Sequence, residues 1–243
     1  LPCQTDDLRA SYGMSQRHLH KLFRLSKSCS GNVIIDTMSL SDPEMPAAAM
    51  QPQRLTGLLT FLQEAERLKD TLRSGSTRQG RPESTAEHSW RLALMVLLFE
   101  RELAGVDLSR LMKLCLIHDL GEAISGDVPA PLQRDGDDRE KRERADFQTL
   151  CASLPADVSR DFLVLWDEYA QAETLEARLA KAFDKLETIK QHHLMPPQSV
   201  EFHEFNLTYG RERTDVFPLT RQIRDIVDEN TLQILSELRK SAD

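Results

Sequence analysis

Aromatic residues are scarce, at 6% of 243 positions, so the core must rest on Leu, Ala, Val, Ile and Met. The chain also lacks any stretch near the roughly 18 apolar residues of a membrane-spanning helix. No signal-peptide pattern opens it. The first residue is Leu rather than Met, which reads as a fragment or a translated upstream extension. Positive charge is in deficit. Lys and Arg number 31 against 39 Asp and Glu, a formal net charge of -8. That balance makes a poor partner for nucleic acid. The four cysteines (Cys3, Cys29, Cys115 and Cys151) are scattered and form no C-x-x-C pair. Reduced thiols and a cytoplasmic compartment are the expectation. Sustained alternation of period two is missing too, so the expected fold class is all-α.

What the chain does contain divides near residue 50. The segment "DTMSLSDPEMPAAAMQPQ" is rich in Ser, Pro, Ala and Met and reads as a linker. Ahead of it, residues 12–27 ("YGMSQRHLHKLFRLSK") are basic and amphipathic and resemble the second half of an AraC-type helix-turn-helix. The helices that would complete such a domain are absent, so residues 1–50 read as an extension. Residues 54–240 read as one domain of six to eight helices. Leu55, Leu58, Leu59, Leu62 and Ala65 predict a buried stripe on the first helix. Ser84 and Glu87 have capping-box spacing and predict where the second begins.

Ligand-type side chains fall on the apolar faces of three helices. In "LCLIHDLGEAISGD" a nearly all-apolar helix runs into His118 and Asp119, with Glu122 and Asp127 close behind. His118 and Glu122 are four apart, Asp119 and Glu122 three, so all can converge on one patch. His88 leads the apolar stripe of the second helix. Asp184 shares a side of a later helix with Ala177 and Ala180, away from Arg178, Lys181 and Lys185, which read as exposed. Burying such groups unpaired is costly. Two imidazoles and two carboxylates suit a divalent Mn, Fe, Co or Zn ion, and Mg less well. Four protein ligands leave coordination positions open for water and substrate. The loop "LRSGSTRQGRPES" adds Arg73, Arg78 and Arg81, suited to holding an anionic substrate.

The motifs "RPESTAEHSWRLAL", "LCLIHDLGEAISGDVPAP" and "KAFDKLETIKQH", in this order, resemble those of HD-domain metal-dependent phosphohydrolases. The likeness is to the branch containing the bacterial 5′-deoxynucleotidases and their eukaryotic relatives. It implies one divalent metal ion on His88, His118, Asp119 and Asp184, with Glu122 as the catalytic acidic residue. It matches the family's Gly-Asp loop to Gly126 and Asp127. The phosphate-binding arginine of those relatives corresponds to Arg73; the tryptophan that follows it there is Ser74 here. The expected reaction is hydrolysis of nucleoside 5′-monophosphates. Arg73 and Arg81 would hold the phosphate, Glu122 would position the water or shuttle a proton, and Asp127 would orient a sugar hydroxyl or a water. The relatives are often homodimers, and the helical surface is compatible with that. Two other readings stand beside this one: hydrolysis of another phosphate ester or signalling nucleotide, and a non-enzymatic DNA-binding regulator with an HD sensor domain.

Overall fold

The computed structural model describes residues 25–27, 33–35, 49–129, 138–196 and 198–242. The chain forms two compact units, Leu1–Met50 and Gln51–Asp243. In the first, β1 (Leu25–Lys27) pairs antiparallel with β2 (Val33–Ile35), Leu25 opposite Ile35. The helix-turn-helix-like stretch lies outside the described residues except for its last three, which are β1.

The second unit is helical. It contains α1 (Pro52–Ala65), α2 (Thr85–Leu98), α3 (Leu108–Ile117), α4 (Glu122–Ser125), α5 (Arg139–Leu150) and α6 (Ala156–Gln171). The remaining helices are α7 (Leu175–His192), α8 (Val200–Asn206), α9 (Arg211–Thr214) and α10 (Pro218–Ala242). α7 is the centre. Ala177, Leu179, Ala180, Ala182, Phe183, Leu186 and Ile189 are all buried, and α2, α3, α6 and α10 pack around it. Its alanines permit close approach on one side while Phe183, Leu186 and Ile189 fill the other, so α7 needs no solvent face. The Ser84 capping box forms as the spacing predicts: its hydroxyl accepts from the Glu87 amide, and Glu87 accepts from the Ser84 amide.

Two local expectations are corrected. The basic loop between α1 and α2 is a β-hairpin, β3 (Leu72–Ser76) with β4 (Pro82–Ser84). Its turn depends on Gly80 at φ 82°, a conformation other residues rarely adopt. Too short for visible alternation, the hairpin is set by its turn. On α1, Leu58 and Ala65 of the predicted stripe pack against the core, but Leu55, Leu59 and Leu62 are exposed and Phe61 is the buried residue. Phe61 sits edge-on to Phe162, with ring centroids 5.5 Å apart. One large ring reaching a partner ring outweighs three leucines that find no facing helix.

Candidate active site

Three elements deliver the predicted ligands to one point. α2 begins at its cap and buries His88 one turn later. α3 ends at Ile117, which leaves His118 and Asp119 in the turn before α4. α7 contributes Asp184 from its buried alanine side. One ligand atom each of His88, His118 and Asp119 lies within 4.8 Å of the others. Asp184 Oδ1 stands 3.1 Å from His88 Nε2, and Asp119 Oδ2 stands 3.0 Å from His118 Nε2.

The tautomers decide what this cluster suits. His88 Nδ1 is held by Glu187, and His118 Nδ1 donates to the Cys115 carbonyl at 3.0 Å. Each ring therefore turns its Nε2 lone pair inward. Both Nε2 atoms are buried without a hydrogen-bond partner. Two lone pairs facing two carboxylates repel one another in a dry interior unless a positive charge stands between them, a metal ion or else the proton that Glu187 and Asp184, against burial, favour on His88. The donor set therefore fits one divalent ion. Ring orientation by a carboxylate or a carbonyl is the usual support for metal-binding histidines.

The surroundings are charged and partly dry. Burial opposes ionisation of Asp119, but His118, Arg73 and His88 overcome it and hold the carboxyl well below its usual range. Burial, with Asp119 and Asp127 nearby, pushes the Glu122 carboxyl up to about 9. Thr85 donates to Glu122 Oε2 at 3.1 Å and fixes that side chain. Gly126 ends α4 at φ 85° and returns the chain toward the site, where Asp127 lines the cavity. Arg73, on β3, donates to Asp119 Oδ2 at 3.2 Å and to the Thr188 hydroxyl at 3.4 Å.

A cavity of about 530 Å³ opens over the cluster, a size that suits a small-molecule ligand. Arg73, His118, Asp119, Glu122, Asp127 and Asp184 all line it. Arg81 is not brought there; it is exposed and forks Glu87 at the start of α2. The α7 lysines are also placed differently from their sequence reading. Lys181 and Lys185 are half-buried and line the cavity, Lys181 over the Tyr169 ring and Lys185 against Asp184 at 3.0 Å.

Several supporting residues had no role assigned from the sequence. Glu187 and Arg91 fall inside the third and first motifs, but only their placement behind His88 shows what they do. Arg91 ion-pairs with Glu187 at 2.6 Å and extends the chain behind His88. Tyr169 donates to Asp184 Oδ2 at 3.3 Å and lies against the His118 ring.

Residues 65–223 match the family model described as HD domain. This chain belongs to the HD-domain family. The 5′-deoxynucleotidase HDDC2 of Bos taurus is 32% identical over 148 residues, covering 60% of this chain and 71% of that protein. Its Xenopus laevis counterpart is 30% identical over 69% of this chain and 80% of its own length. A solved structure described as a predicted metal-dependent phosphohydrolase from Magnetospirillum magnetotacticum superposes with a TM-score of 0.62. It is 29% identical and covers 75% of this chain and 98% of its own. No helix among the described residues is long and apolar enough to cross a membrane.

Proposed function

We propose that this protein is a divalent-metal-dependent phosphohydrolase that releases phosphate from deoxynucleoside 5′-monophosphates. The observation that carries the chemistry is the pair of buried, partnerless Nε2 atoms facing Asp119 and Asp184 on the cavity floor. The named activity of the curated relatives supports the substrate class.

His88, His118, Asp119 and Asp184 would hold the ion. When bound, such an ion polarises a phosphoryl oxygen and lowers the pKa of water. The metal identity proposed is Mn, Co, Fe or Zn, from the mixed nitrogen and oxygen donors. Arg73 orients the phosphate, since its guanidinium already reaches the cluster through Asp119 and remains charged. Lys181 supports it. It has no carboxylate within ion-pair distance among the described residues, and a half-buried ammonium beside a cavity favours an anion there. Glu122, whose protonated form is favoured by burial and by the neighbouring Asp119 and Asp127, hands a proton to the leaving 5′ oxygen. Asp127, at the cavity wall, orients a sugar hydroxyl. Arg81 is left to its pairing with Glu87.

Phosphate release from a panel of deoxynucleoside and ribonucleoside monophosphates, with Mn, Co, Zn, Fe and Mg in turn, tests the reading. Deoxynucleotide turnover with at least one transition metal is expected. No release from any substrate with any metal would overturn it.

A further inference from the structure

The cavity extends well past the metal-ligand cluster, and its far wall is aromatic. Phe202 and Phe205 on α8 and Tyr209 in the turn that follows line it, with His192 from the end of α7. Positions 202, 205 and 209 have helical i, i+3, i+7 spacing, so three rings share one side. Phe205 and Tyr209 are stacked with centroids 5.1 Å apart, and Phe202 lies 4.7 Å from the His192 ring. All three α8-side rings are only half-buried, although the chain has few aromatics to spare.

This wall is rigidly held. Arg224 on α10 is fully buried, and its guanidinium donates to the Asn206 carbonyl at 2.7 Å and the Tyr209 carbonyl at 2.6 Å. Asp228 holds that guanidinium at 2.8 Å. The Asn206 side-chain oxygen pairs with His192 Nδ1 at 2.8 Å, tying α8 to α7. The wall is also joined to the ligand cluster: Lys185 lies over the Tyr209 ring and ion-pairs with Asp184. A ligand anchored at the cluster by its phosphate would therefore extend along one continuous cavity toward fixed ring faces.

We infer that Phe202 and Phe205 form the platform on which the base of a bound nucleotide stacks, and that they determine selectivity for base-bearing phosphate esters. The inference rests on the phosphohydrolase reading and adds the recognition element to it. Stacking is tolerant of base identity because every base has a π-face. Among the described residues no Asn or Gln lines the cavity to read a base edge. Stacking of itself does not separate the four deoxynucleotides, and purines gain from their larger ring area.

The test compares deoxyadenosine monophosphate with 2-deoxyribose 5-phosphate, which has the same phosphate and sugar but no base. Full-length wild type, Phe202→Ala, Phe205→Ala and Phe205→Leu are loaded with Mn and assayed for kcat and KM. Each Ala variant is expected to raise KM for the nucleotide about tenfold, to leave kcat nearly unchanged, and to barely alter kinetics on the base-free ester. Phe205→Leu, which keeps an apolar side chain but not the ring, is expected to fall between. Equal losses on both substrates would show a merely structural role and overturn the inference, as would an unchanged nucleotide KM. Calorimetric binding of deoxyadenosine monophosphate to wild type and Phe205→Ala separates this from the reaction itself. If wild type turns over neither ester, the hydrolase reading fails, while an affinity loss of about tenfold in Phe205→Ala still supports the platform. Equal affinity would refute it.

Discussion

Replacing Glu187 with Ala should weaken metal binding even though Glu187 touches no metal. Its carboxylate holds His88 Nδ1 from behind at 2.5 Å and is itself clamped by Arg91 at 2.6 Å. Without it, the imidazole loses the acceptor that points its Nε2 lone pair into the cluster. Loss of such a supporting acceptor lowers metal affinity by about 10- to 100-fold, which is roughly 1.4 to 2.7 kcal/mol. The fold is expected to lose stability as well, because His88 Nδ1 is left buried without a partner. Arg91 is one-quarter exposed and keeps its bond to the Glu187 carbonyl, so its share of that loss is small. Glu187→Gln retains an acceptor oxygen and should recover most of the affinity. The assay is calorimetric titration of metal-free protein with Mn and with Zn. Nitrogen-15 shifts of His88 report the tautomer, and thermal melts of the apo forms separate affinity from stability. Affinity within about twofold of wild type for both metals in Glu187→Ala would refute the reasoning.

Two further outcomes concern titration. Burial, Asp119 and Asp127 raise the Glu122 carboxyl to about 9, so the rate is expected to fall along an alkaline limb as this proton is lost. A cation on the neighbouring Asp119 favours the ionised form and moves this alkaline limb lower. Glu122→Gln should lose rate and flatten the limb; an unchanged pH-rate profile in that variant contradicts the role. Glu83, buried on β4 near Glu187, has its carboxyl raised from 4.5 to about 7, first by burial and then by that neighbour. The folded state thus binds this proton more tightly than the unfolded chain, and stability falls as pH rises from 4.5 to 7. The loss is at most about 3 kcal/mol. Glu83→Gln should melt higher than wild type at pH 8, with the gap shrinking toward pH 5. A lower melting temperature at pH 8 would show that Glu83 contributes a contact its charge does not explain.

Much of the site was legible because its chemistry contradicts its surroundings. His118 and Asp119 stand out at the end of an apolar helix, and Asp184 stands out among alanines, so sequence alone could single them out. The helical fold was readable for a related reason: α2, α3 and α7 carry long apolar faces, and the Ser84 cap marks where α2 begins. Residues that act through a neighbour were not readable in this way. Glu187 and Arg91 have the composition of an ordinary surface pair and become supports only when α2 is laid against α7. Lys181 and Lys185 look like the solvent face of a helix, yet α7 has almost no solvent face. Phe202 and Phe205 look like core. Only the placement of α8, pinned by Arg224, leaves their rings half-open on the cavity.

The central claim is that four side chains from three helical elements hold one catalytic ion. Elemental analysis of protein loaded with Mn or Zn and then dialysed tests it most directly. It should be applied to wild type, His88→Ala, His118→Ala, Asp119→Asn, Asp184→Asn and Glu122→Gln. One ion per chain is expected in wild type and in Glu122→Gln, and little or none in the four ligand variants. Equal metal content across all six proteins would contradict the account.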